Sequence, residues 1–170
     1  MSIVSFIKDA GERLFKLPHP ASSITSSAPA ALVAAKPDLA TLNRTAAESL
    51  KRYVASKGLP VDALTLAYDG ATATVTVSGT VPDQATRERI VICCGNIASV
   101  RHVNDQISVA HSGDASDYYT VKSGDTLSKI AKQYYGSPDR FSAIFEANRP
   151  MLSDPDKIYP GQTLRVPKLS

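Results

Sequence analysis

Tyr118-Tyr-Thr-Val-Lys-Ser-Gly-Asp-Thr-Leu-Ser-Lys-Ile-Ala131, continued by Glu146-Ala-Asn-Arg-Pro150 and Lys157-Ile-Tyr-Pro-Gly-Gln-Thr-Leu-Arg-Val-Pro167, decides how the C-terminal part of this chain folds. Tyr119, Val121 and their neighbours read as a short strand. Gly124 and Asp125 turn the chain, and Asp125 is placed to cap the helix that follows. Leu127, Ile130, Ala131 and Tyr134 recur at i, i+3, i+4 and i+7, one face of a helix. Gly136 stops it, and Ser137-Pro138 opens a second helix with proline at the first position. Phe141, Ile144 and Phe145 give that helix a core face, and Asn148 with Pro150 ends it. Tyr159-Pro160-Gly161-Gln162 suits a type II turn, and Thr163 to Val166 is the returning strand. The expected unit is strand–helix–helix–strand.

This ordered set of motifs resembles the LysM domain over the whole stretch. The resemblance implies a groove for N-acetylglucosamine sugars of peptidoglycan or chitin. Gly124, Asp125, Thr126 and Leu127 would form one wall, and Asn148, Ile158 and Tyr159 the other. The residues also have plainer roles whatever the unit binds: Asp125 as cap, Leu127 as core, Pro160-Gly161 as turn.

Upstream, residues 38–58 carry Leu39, Leu42, Ala46, Leu50, Tyr53 and Val54 at helical spacing, with Gly58 closing the helix. Leu64, Leu66 and Tyr68 alternate with Thr65 and Ala67. Asp69-Gly70 is a hairpin signal, and Ala73, Val75 and Val77 alternate with threonines. Pro82-Asp83 opens a helix through Ile90, Val91, Cys94 and Ile97, and a last strand runs from Val100 to Val109. Val75-Thr-Val-Ser-Gly-Thr-Val81 and Ile97-Ala-Ser-Val-Arg-His-Val-Asn-Asp-Gln-Ile107 resemble the BON domain. The expected fold class is α+β in two small domains. BON (αββαβ, its sheet covered on one face by helices) spans 38–109 and LysM (βααβ) spans 117–168, joined by a hinge at 110–116. Residues 2–17, with Ile3, Phe6, Ile7, Ala10, Leu14 and Phe15 on one side, read as an amphipathic helix packing on BON. Residues 18–37, rich in Pro, Ala and Ser, read as a flexible linker.

Composition narrows the function. The chain has 170 residues, 43% of them hydrophobic, and a net charge of +3 with no run of Lys and Arg. A nucleic-acid surface is therefore not expected. No segment has the apolar length of a membrane span, and the charges among residues 8–13 interrupt any secretory signal. Cys93 and Cys94 are adjacent, poorly placed for an ordinary bridge and suited to a helix core. These features point to the cytoplasm, away from peptidoglycan. No Ser-His-Asp set, His-Glu-x-x-His or phosphate loop is present, so the chain is not expected to be an enzyme.

BON followed by LysM, with Phe6-Ile-Lys-Asp-Ala-Gly-Glu12, Gly95-Asn-Ile97 and Phe145-Glu-Ala-Asn148, is similar to a family of bacterial cytoplasmic potassium-binding proteins. The resemblance implies a sensor of K⁺, active as a monomer. BON would hold the ion and LysM would stabilise the compact bound state. It implies as ligands the backbone carbonyls of Ile7, Ala10, Gly95, Ile97 and Val100. Neutral carbonyls suit a large, weakly hydrated monovalent ion, and helix ends and glycines are where carbonyls can converge. An acidic calcium loop is missing.

Overall fold

The computed structural model describes residues 2–5, which form a strand, and residues 38–169. Among these residues the first unit comprises β1 (Ser2–Ser5), α1 (Leu39–Ser56), β2 (Leu64–Asp69), β3 (Thr74–Asp83), α2 (Gln84–Gly95) and β4 (His102–His111). Its sheet has the order β1-β4-β3-β2. The β2–β3 pair is antiparallel. β3 and β4 run parallel, as a strand–helix–strand crossover through α2 requires. In β2, Leu64, Leu66 and Tyr68 are buried and alternate with exposed Thr65, Ala67 and Asp69. They join Leu50 and Val54 of α1, Val75 and Val77 of β3, and Ile90, Val91 and Cys94 of α2 in one core. Asp38 and Asp83 cap α1 and α2, accepting from Thr41 N at 2.6 Å and Thr86 N at 2.7 Å.

The second unit comprises β5 (Asp117–Thr120), α3 (Leu127–Tyr135), a 3₁₀ turn (Pro138–Arg140), α4 (Phe141–Ala147) and β6 (Thr163–Val166). β5 and β6 pair antiparallel, over a core of Val121, Leu127, Ile130, Ala131, Ile144, Leu152, Leu164 and Val166. Gly136 ends α3 at φ 73°. The Tyr159–Gln162 turn closes with Gln162 N donating to Tyr159 O at 3.1 Å and Gly161 at φ 85°.

Three expectations are corrected. The helix expected over 2–17 does not begin at residue 2, because Ser2–Ser5 form a strand on β4, Ser2 opposite Asp105 and Ser5 opposite His102. Ile3 and Val4 are β-branched, and the outer edge of β4 offers backbone partners that an isolated helix turn does not. The rest of that segment, Ile7 and Ala10 included, and the linker 18–37 lie outside the described residues. Asp125 does not cap α3. Thr126 does, accepting from Lys129 N at 3.2 Å, while Asp125 braces the preceding loop from Lys122 N and the Tyr119 hydroxyl, both at 2.8 Å. Ala73 belongs to the turn between β2 and β3, at φ 53°, rather than to the strand. Asp69 organises that turn by accepting from Ala71 N at 3.0 Å and the Thr72 hydroxyl at 2.7 Å.

Gly79, in β3 opposite Leu64 and Ile107, sits at φ 134°. A Cβ there would stand 2.1 Å from the Ala63 carbonyl oxygen, a backbone atom with little room to yield. Gly79→Ala is expected to destabilise the protein by about 2–3 kcal/mol from strain and displacement together. A lower urea midpoint at unchanged m-value checks this.

Candidate functional site at the C-terminal end of α2

α2 is buried on more than one side. Ile90, Val91 and Cys94 enter the core beneath it. Glu88, Ile92 and Asn96 follow one another at four-residue spacing along another stripe. Glu88 is 2% exposed and Ile92 fully buried. That stripe meets the second unit. Arg165 Nε donates to Glu88 Oε2 at 2.5 Å, and Asn96 Nδ2 donates to Thr163 O at 2.9 Å while its Oδ1 accepts from Thr163 N at 2.8 Å. Arg89 Nε reaches the Ala147 carbonyl at 3.4 Å.

β6 explains why these contacts form. Its partner β5 takes one edge, leaving the amide and carbonyl groups of Thr163 and Arg165 on the other. Side-chain amides fill that edge. Asn96 pairs with both backbone groups of Thr163. Asn148 donates to Arg165 O at 2.7 Å and accepts from Arg165 N at 2.8 Å, and its Nδ2 also donates to Ile144 O. Asparagine carries a donor and an acceptor at the spacing of a peptide group, so it can replace a strand residue.

Glu88 collects the remaining donors. Its Oε1 accepts from Gln84 Nε2 at 2.8 Å and from Ser116 N at 2.9 Å. Burial pushes the carboxyl up, but Arg165, Gln84 and Ser116 together outweigh it and hold the group below the usual carboxylate range. The Ser116 bond ties the expected hinge to α2, and the first two residues of that hinge, Ala110 and His111, belong to β4.

The expected cation ligands can be placed in part. Gly95 is the last residue of α2 and Asn96 its C-cap. Ile97 and Val100 are fully buried in the following turn. Val100 N donates to Ile97 O at 2.9 Å, Arg101 N donates to Ala73 O at 2.7 Å, and the Tyr68 hydroxyl donates to Ser99 O at 2.8 Å. The Ser99 hydroxyl is buried with no hydrogen-bond partner among the described residues. Sequence reasoning marked Ser99 only as standing where the relatives tend to have glycine, and the burial of its hydroxyl is what the structure adds. Gly95, at the end of α2, thus adjoins the turn that holds Ile97 and Val100, while Ile7 and Ala10 lie outside the described residues.

The expected sugar groove is brought together only partly. Gly124, Asp125 and Thr126 lie on one loop. The Leu127 and Asn148 side chains are 2% and 1% exposed, one in the core and the other committed to backbone. Ile158 packs on the core. Tyr159 lines a cleft of about 160 Å³ whose other wall is Tyr53, Cys93 and Asn96 of the first unit. Cys93 and Cys94 are unbridged and buried, and burial, then the neighbouring Cys93, push the Cys94 thiol up. Among the described residues no cluster of three His, Cys, Asp or Glu could hold a metal ion, and no helix is long and apolar enough to cross a membrane.

The BON domain family model matches residues 43–111 and the LysM domain family model residues 119–167, so the two units are a BON domain followed by a LysM domain. Potassium binding protein Kbp of Escherichia coli is 39% identical over 168 residues, covering 99% of each chain. The chain belongs to the family of that protein. An uncharacterized protein of Deinococcus radiodurans is 53% identical over 49 residues, 29% of this chain and 19% of its own.

Two outcomes follow for Glu88. Because its folded pKa is depressed, its stabilisation is complete above the unfolded value near 4.5 and is lost as pH falls through the lower folded value. Docking of the two domains should therefore loosen on that acid limb, seen as a rise in radius of gyration by small-angle X-ray scattering, and Glu88→Gln should flatten the limb. Glu88→Ala strands Arg165 as a buried unpaired charge and should cost about 3–5 kcal/mol in urea unfolding.

Proposed function

We propose that this chain is a K⁺-binding protein of the cytoplasm, acting as a monomer and without catalysis. Backbone carbonyls of Ile7, Ala10, Gly95, Ile97 and Val100 hold the ion, and the LysM domain stabilises the bound, compact state. The full-length likeness to a protein named for potassium binding supports the ion.

One observation carries the site: β1 pairs with β4 so that Ser5 stands opposite His102. His102 is two residues past Val100, and Ile7 is two residues past Ser5. The end of β1, two residues before Ile7 in the sequence, therefore lies alongside the start of β4, which the bend after α2 feeds. The pairing supports the meeting of an N-terminal segment with the bend after α2 that the ligand set requires.

The chemistry of the turn fits a monovalent cation. The C-terminal end of a helix carries partial negative charge, and carbonyl oxygens favour an ion that surrenders its water cheaply. The Ser99 hydroxyl, buried without a partner among the described residues, supports the same reading, because its oxygen lone pairs are left to face a cation. Sugar binding rests on the LysM match and the open Gly124–Thr126 loop. It is the weaker reading, because Asn148 and Tyr159 on the second wall already face protein.

The expected outcome is a selective thermal shift. Titrating KCl against NaCl at fixed ionic strength, K⁺ should raise the melting temperature and Na⁺ should not. A hundredfold excess of ion over Kd corresponds to about 2.7 kcal/mol of added stability. Deleting residues 6–12, which spares β1, should abolish the difference between the salts. Equal responses of the intact chain to both salts would remove the potassium reading.

A further inference from the structure

Asn96 takes part in two structures at once. Its backbone is the C-cap of α2, with its amide donating to Ile92 O at 2.9 Å. It stands between Gly95 and Ile97, whose carbonyls are proposed ion ligands. Its side chain belongs to the other domain's sheet, both amide groups being bonded to the backbone of Thr163. Only two side-chain torsions separate these anchors, so the pair leaves little slack. If the LysM domain shifts, either the amide pair breaks or the backbone of residues 95–97 moves with it.

The contacts of Glu88 and Arg89 with the LysM domain do not have this property. Glu88 and Arg89 meet LysM from within α2, at least a turn before its end. A pull there acts on a regular helix, whose peptide groups are held by i−4 bonds and yield as one body. Asn96 instead meets Thr163 from where the helix has ended and the chain bends.

We propose that Asn96 is the positioning residue of the cation site: through its pair with Thr163, docking of the LysM domain holds the backbone from Gly95 to Ile97 in the geometry that takes the ion. This rests on the potassium reading. Docking and ion binding then share one coupling free energy, so each must strengthen the other by the same factor.

The test uses the full chain and three variants: Asn96→Ala, Asn96→Asp and Glu88→Gln. Asn96→Asp keeps the acceptor for Thr163 N and loses the donor to Thr163 O. Glu88→Gln weakens docking without touching the turn. K⁺ affinity is read by calorimetry, and domain docking by small-angle scattering with and without K⁺. Asn96→Ala should lower K⁺ affinity about tenfold and abolish the K⁺-induced compaction. Asn96→Asp should fall between it and the parent, and serves alone should the alanine variant fail to fold. Glu88→Gln should change affinity less than about threefold and retain compaction on adding K⁺. If the parent chain binds K⁺ selectively and both Asn96 variants bind as it does, the positioning role is refuted while the potassium reading stands. An equal loss in Asn96→Ala and in Glu88→Gln that scattering shows to be still docked also refutes it, since the Asn96–Thr163 pair would then hold no special place. If the parent does not distinguish K⁺ from Na⁺, both readings fall.

Discussion

The open edge of β6 is the constraint on which the arrangement of the two domains depends. A two-stranded sheet has two edges, and here one of them is buried. A backbone amide or carbonyl left there without a partner costs about 1–3 kcal/mol. Arg165 finds its partner within its own domain, in Asn148. Thr163, 4% exposed, finds it in Asn96 of the other. The LysM domain therefore completes its sheet with an amide it does not own, and α2 serves both domains.

The ion pair beneath that amide has a different part. Glu88 and Arg165 are both buried, and removing two charges from water offsets much of their attraction. What the pair supplies is register. Glu88 satisfies Arg165, Gln84 and Ser116 N only when β6 and the chain before β5 lie in one place along α2. A slip of β6 by two residues would leave a carboxylate unmatched and the Asn96 amide without its peptide. The polar contacts fix where LysM docks, and Ile92 on the same stripe is fully buried.

Much of this was legible in the chain, and the reasons differ by element. α3 and the Tyr159–Gln162 turn are written in periodicity and turn chemistry, which act locally. The four-residue β1 was not legible, because Ile3, Phe6 and Ile7 also satisfy a helical spacing and the deciding partner, the edge of β4, lies a hundred residues away. Asp125 and Thr126 are both good caps, and their exchange turned on the Tyr119 hydroxyl and Lys122 N, which claim the aspartate. The docking face of α2 left a trace that was read too narrowly. Ile90-Val-Ile-Cys-Cys94 is apolar around the whole helix, the mark of a helix covered on every side. Carbonyl ligands leave no such trace, since every residue type carries one, and their candidates here came from resemblance alone.

The turn after α2 also bears on selectivity under the potassium reading. Oxygens that can close in on a smaller ion lose their preference for the larger one, so the cage must resist collapse or hold a fixed number of dipoles. This turn is restrained from several directions: Ile97 O by Val100 N, Ser99 O by Tyr68, the following strand by Ala73 O, and Asn96 by Thr163. Three of these restraints lie within BON and one reaches to LysM. A cage whose stiffness depends partly on a second domain is stiff only while that domain is docked. Selectivity and compactness then become one property, and a salt that cannot hold the carbonyls apart has no means of closing the molecule.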